Sequence, residues 1–185
     1  MFLVEKHVVP ADTMLAHYSV EGTYTDCYAT EVPEEISLAE FIYAFYTTFL
    51  FKLERFILKW TVVKPSRDIE ARELADQARD KFAAWQVEDR SQNEILMCDF
   101  LGRTRSWLMV QPVRTADRMR TRLYFGTAVV PVQYSNRGEP SLEFGFIALL
   151  SGFHQVYSVL LLYFAKSRVQ RSARAKQKSH LPIDG

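Results

Sequence analysis

The period of apolar and polar positions changes several times along this chain, and each change marks an element. Tyr24–Val32 alternates, with Tyr24, Asp26, Tyr28 and Thr30 on one face and Thr25, Cys27, Ala29 and Glu31 on the other, which predicts a strand. Before it, residues 1–22 alternate weakly and contain Pro10 and Gly22, which predicts a lead-in with a short strand at Phe2–Val9. After it the period becomes helical: Phe41, Phe45, Phe49, Leu53, Phe56 and Trp60 recur every three or four residues, with Lys52, Arg55 and Lys59 as a polar stripe. Ser37-Leu-Ala-Glu40 reads as a capping box, in which the hydroxyl accepts a backbone N–H and the carboxylate reaches back. At 26 residues the 37–62 run exceeds the usual globular helix, so two consecutive helices are expected. Lys64-Pro65-Ser66 ends this unit, and residues 67–81, with a narrow seam of Leu74, Ala78 and Phe82, predict a short exposed helix.

From residue 82 the texture changes to strands. Residues 82–89, 94–100, 104–113 and 119–133 are separated by short polar turns and predict an antiparallel meander. Pro112 and Pro131 fall near strand ends, where a missing donor is tolerated. Residues 135–140 form a loop, and Ser141 can cap a long last helix over 141–170. Within it, Phe146–Phe164 is a run of 19 residues without a formal charge, followed by positive residues, which meets the length and flank criteria for a membrane span. Against a span, Ser151, His154, Gln155 and Ser158 interrupt the run, and Phe146, Leu150, Phe153, Tyr157, Leu160, Leu161 and Phe164 form a stripe. A buried helix that packs by one wide face explains this sorting, and both readings stand at this point.

Composition sharpens the picture in two places. The 13 Phe, 9 Tyr and 3 Trp concentrate in 41–60 and 144–164, so the apolar surface belongs mainly to two helical units. The net charge of +1 hides six cations and no acid in 166–178, which leaves a mildly acidic body with a basic tail. That tail lacks interleaved aromatics and follows an apolar helix, so a solvated end or contact with anionic lipid fits it better than nucleic acid. Two cysteines, Cys27 and Cys98, exclude a disulfide framework, and no Cys/His spacing builds a metal site. The N-terminus has no secretory pattern, so a cytoplasmic location is expected, with the inner membrane face as a variant. No P-loop, dinucleotide fingerprint, nucleophile elbow or zinc-protease motif is present, and no cofactor is expected.

The order of strand, two aromatic helices, meander and long last helix resembles the START-like, or SRPBCC, superfamily. Within it the chain is similar to an uncharacterised bacterial domain family through Tyr24-Thr-Asp-Cys27, Phe49…Arg55, Thr127-Ala-Val-Val130, Phe153-His154 and Leu160-Leu-Leu162. The resemblance covers residues 24–165, between the lead-in at 1–23 and the basic tail at 166–185. The chain departs from the family pattern at Arg103-Thr-Arg-Ser106. The resemblance implies an α+β helix-grip fold, in which a curved antiparallel sheet wraps the C-terminal helix around an apolar cavity.

Three functions compete. The first is binding of a small hydrophobic or amphipathic molecule, with Trp85, Trp107, Met109, Phe125, Phe153, His154 and Tyr157 as the expected lining. The second is an enzyme on the same fold, a cyclase, dehydratase or hydrolase of a hydrophobic substrate, with His154 as general base. The third is a membrane-associated protein that uses residues 146–178. For each lining residue, core packing is the competing reading. Any exposed part of the 41–60 stripe offers a surface for a second copy.

Overall fold

A computed structural model of the chain describes residues 3–20, 23–51, 67–115, 118–130 and 143–179, with the side chains of 143–154 and of 178 and 179 excluded. The fold is α+β. Seven strands form one antiparallel sheet: β1 (Glu5–Lys6), β2 (Tyr24–Val32), β3 (Lys81–Phe82), β4 (Trp85–Arg90), β5 (Glu94–Asp99), β6 (Thr104–Arg114) and β7 (Met119–Val129). Their spatial order is β1-β2-β7-β6-β5-β4-β3, so the meander closes back onto the first long strand. Helices α1 (Leu38–Tyr46) and α2 (Asp68–Ala75) follow β2, and α3 (Glu143–Ser179) runs to the C-terminal end of the described chain. The arrangement is a helix grip. The second half of the expected 37–62 helix unit, the strand residues beyond 130 and the Ser141 cap lie outside the described residues.

The capping box forms: the Ser37 hydroxyl accepts the Glu40 N–H at 3.3 Å, and Glu40 Oε2 accepts the Ser37 N–H at 3.0 Å. Six of the nine residues of α1 are buried, and their rings form the centre of the core. Phe45 packs on Phe125 of β7 with centroids 4.8 Å apart, and Tyr46 contacts Phe51 and Phe82. The described aromatic stripe thus faces inward, except Phe49, which is 76% exposed.

Both faces of the sheet are covered. On one face Tyr28, Val32, Ile95, Met97, Leu108, Val110, Leu123 and Phe125 pack against α1, α2 and the Leu161, Leu162, Ala165 and Val169 stripe of α3. On the other, Cys27, Ala29, Leu96, Trp107, Met109, Tyr124 and Ala128 are covered by Met14 and Leu15 of a short 3-10 helix, Met14–Tyr18. The N-terminal segment is therefore part of the core. Buried Glu94 fastens it: one carboxylate oxygen accepts the Trp107 indole N–H at 2.7 Å and the Met14 N–H at 3.1 Å. At its end Tyr18 donates to Glu88, which also pairs with Arg105 at 2.9 Å, and the Arg105 guanidinium lies over the Tyr18 ring.

The basic segment continues α3 as helix rather than trailing from it. Lys176 pairs with Glu40 at 2.5 Å and Arg174 approaches Glu34 at 4.0 Å, while Val169 is buried in the core. Burial pulls the Glu40 carboxyl up, but Lys176 and the Ser37 donors outweigh it, and its pKa falls below the ordinary value. Among the described residues no helix is long and apolar enough to cross a membrane. Both cysteines are free thiols.

Gly126 tests the N-terminal cover. A methyl group there would meet Leu15 Cδ2 at 2.4 Å and the Asp26 carbonyl oxygen at 2.8 Å. Gly126→Ala is expected to destabilise the fold by about 2 kcal/mol through overpacking. Urea unfolding measures this, and an unchanged midpoint would mean that the segment does not sit on the sheet as described.

Candidate functional site

The seven side chains expected to line one pocket are not gathered in one place. Phe125 lies beneath the helices, and Tyr157 of α3 packs against the same core. Trp85 joins that core from the edge of the sheet opposite β1, with its indole Nε1 buried and without an acceptor among the described residues. Trp107 and Met109 are a correction: they project from the far face, under the N-terminal segment. The register explains this. Leu108 pairs with Phe125 and Trp107 with Gly126, and paired residues share a face. Alternation within a strand fixes two faces, but only the cross-strand register tells which faces coincide. Phe153 and His154 belong to α3, and their side chains lie outside the described residues, as does any acid–base role of His154.

The stretch of α3 from Val159 to Gln170 also forms one wall of an open groove of about 600 Å³ at the β1/β2 edge of the sheet. Leu3 and Val4, which lead into β1, and Pro33, which follows β2, form the opposite wall. Leu160 and Tyr163 line the helix side. The lining is mostly apolar, and its polar members are Lys166, Ser167 and Gln170. The Ser167 hydroxyl is spent on the Tyr163 carbonyl at 3.0 Å.

Lys166 is the exceptional member. It is 7% exposed, and its ammonium donates to Thr30 Oγ1 at 2.9 Å. Thr30 in turn donates to the Leu3 carbonyl at 3.2 Å, so the contact ties α3, β2 and the N-terminal wall together. Burial pushes the Lys166 pKa below its ordinary value of 10.5, against the upward pull of Glu31 and Glu34. Sequence reading placed Lys166 at the head of a solvated tail. The overlooked signal is its spacing: Ser158, Leu162, Lys166 and Val169 are all buried and lie four, four and three residues apart. A lysine on the buried stripe of an apolar helix is a polar group placed where a hydrophobe would serve.

A second polar cluster lies on the helix-facing side of β2 and β7. Buried Asp26 accepts the Thr127 hydroxyl at 2.5 Å, the Thr127 N–H at 3.2 Å and the Tyr24 hydroxyl at 3.3 Å. Burial and this carboxylate push the Tyr24 pKa up. The same two causes push the Cys27 thiol up to about 12, which keeps it protonated and a poor nucleophile. Ser158 Oγ is buried without a partner among the described residues. No group of His, Cys, Asp and Glu there is placed to hold a metal ion.

Fold and site together define a helix-grip domain with an open, lysine-floored apolar groove beside its C-terminal helix. No protein-family model matches the chain, and no curated protein matches it significantly.

The buried ammonium has a measurable signature. Lys166→Met is expected to raise stability at pH 7 by about 1 kcal/mol, because an apolar isostere escapes the desolvation cost. The gain is full below the folded-state pKa and fades as pH rises towards 10.5, where both folded and unfolded lysines become neutral. Urea unfolding of both proteins between pH 7 and 10.5 checks this, and a pH-independent difference would contradict it.

Proposed function

We propose that this chain is a START-like helix-grip protein that binds a small hydrophobic or amphipathic molecule in the groove between α3 and the β1/β2 edge. The supporting observation is the groove itself: about 600 Å³, apolar walls and one buried cation. That volume falls within the roughly 300–1,000 Å³ of small-molecule sites. The site is displaced from the centre of the grip, where Leu161, Leu162, Ala165 and Val169 pack directly on the sheet. Burial of the ligand's apolar surface supplies the driving force. The strand order and the long last helix support membership of the superfamily. A neutral apolar dye tests the reading. Nile red fluorescence is expected to rise on addition of the protein, and Val159→Trp, which fills the groove, is expected to weaken binding about tenfold. Dye binding unaffected by this filling would place the ligand elsewhere.

A specific observation favours a second reading, contact with an anionic membrane surface. Val156, Leu160, Tyr163 and Phe164 are exposed along one line of α3, and the same line continues through Ser167 to Arg171 and Arg174. An apolar stripe that runs into cations suits the boundary between acyl chains and anionic headgroups. Co-sedimentation with phosphatidylglycerol vesicles is expected, with little on phosphatidylcholine. Reversing Arg171 and Arg174 to Glu is expected to lower the bound fraction at least tenfold, since each basic residue near such a surface contributes about 1 kcal/mol. Equal pelleting of both proteins would eliminate this reading.

A further inference from the structure

We infer that the cleft where α1, α2 and α3 meet is a second binding site, and that it takes an acidic α-amino acid in its zwitterionic form. This site is independent of the apolar groove. The cleft has a volume of about 230 Å³. Buried Ile36, Ala44, Ala75 and Val169 give it an apolar floor. Its volume falls below the roughly 300 Å³ at which sites for drug-sized molecules begin, so the occupant is a small molecule. Arg168, Ser172 and Lys176 line it from α3, on the side of the helix opposite the Leu160, Tyr163 and Lys166 of the groove.

The charges of the lining carry the choice of ligand. Glu40, Arg72, Asp76, Arg168 and Lys176 all border the cleft. Lys176 and Glu40 pair with each other at 2.5 Å. The side chains of Arg72, Asp76 and Arg168 form no ion pair or hydrogen bond among the described residues. The Arg72 guanidinium is held over the Tyr43 ring, 4.4 Å from its centroid, which fixes it beside α1. Two guanidiniums and one carboxylate are thus left to be answered. Their complement is two carboxylates and one ammonium, the charges of an acidic amino acid at neutral pH. The donor fork of a guanidinium matches the two oxygens of a carboxylate. Asp76 follows the last residue of α2, so the partial negative charge of that helix end adds to its carboxylate and favours the ammonium there. An inorganic anion would meet Asp76 with nothing to offset the repulsion, and a simple cation would meet the two guanidiniums.

Glutamate, glutarate, 4-aminobutanoate and inorganic phosphate, each titrated calorimetrically into the full chain, separate the possibilities. Glutamate is expected to bind at least tenfold more tightly than glutarate, which lacks the ammonium, and than 4-aminobutanoate, which lacks the α-carboxylate. Asp76→Asn is expected to bring glutamate and glutarate within about twofold of each other. Arg168→Gln is expected to weaken glutamate at least tenfold, and Arg168→Lys to restore part of the loss. Arg72→Gln, at an exposed position, gives a second test of the carboxylate contacts should the Arg168 proteins fold poorly. Equal binding of glutamate and glutarate to the natural chain would overturn the role of Asp76. Phosphate binding more tightly than glutamate would overturn the amino-acid class. Failure of all four to bind would overturn the site and leave the groove reading, which the dye titration tests, intact. Nile red binding is expected to be unchanged at saturating glutamate, and competition between the two would overturn the independence of the sites.

Discussion

A single sheet whose two faces are both apolar has to be covered twice, and the rest of this structure follows from that requirement. The β6 run Ser106–Val110 is buried at five consecutive positions, so successive side chains alternate between two separate interiors. Leu108 and Val110 belong to the helix side, Trp107 and Met109 to the other. The helices cover the first. The second is covered by the N-terminal segment, through buried Met14 and Leu15 with Val9 and Tyr18 packed beside them. Glu94 supplies the missing specificity, because its buried carboxylate is satisfied by the indole of Trp107 and the backbone of Met14 together.

The groove is a consequence of how α3 meets the sheet. The inner stripe of α3 packs on strand residues through Leu161, Leu162 and Ala165, then reaches the edge where β1 offers only two residues. There the helix faces chain ends rather than a ladder: Leu3 and Val4 before β1, and Pro33 after β2. A helix leaving a sheet edge leaves space beside it, and the stripe position at that point is occupied by Lys166. The long aliphatic stem suits the apolar walls, while the head requires a polar contact and finds it in Thr30.

Charge has two uses on the same helix. Lys176 and Arg174 face Glu40 and Glu34, at the start of α1 and in the turn before it, so part of the basic segment locks the end of α3 against the body. Glu40 is shared between that contact and the capping box, which couples the first turn of α1 to the last turns of α3. On the outward side Val156, Leu160, Tyr163 and Phe164 are exposed, next to the groove that Leu160 and Tyr163 also line.

Local periodicity revealed most of the architecture. The alternating Tyr24–Val32, the Ser37–Glu40 box and the meander from residue 82 onward all reappear as elements within a few residues of where the pattern put them, because strand and helix periods are properties of neighbouring residues. The pocket was not legible in the same way. Trp107 and Phe125 share a pattern of alternation, yet they face opposite interiors, because the phase between two strands is set by hydrogen-bond register and not by either strand's own sequence. Lys166 was hidden for a related reason. Its charge marked it as part of a tail, and only the passage of α3 along the sheet edge, with Thr30 and Leu3 brought from more than a hundred residues away, makes it the floor of a groove.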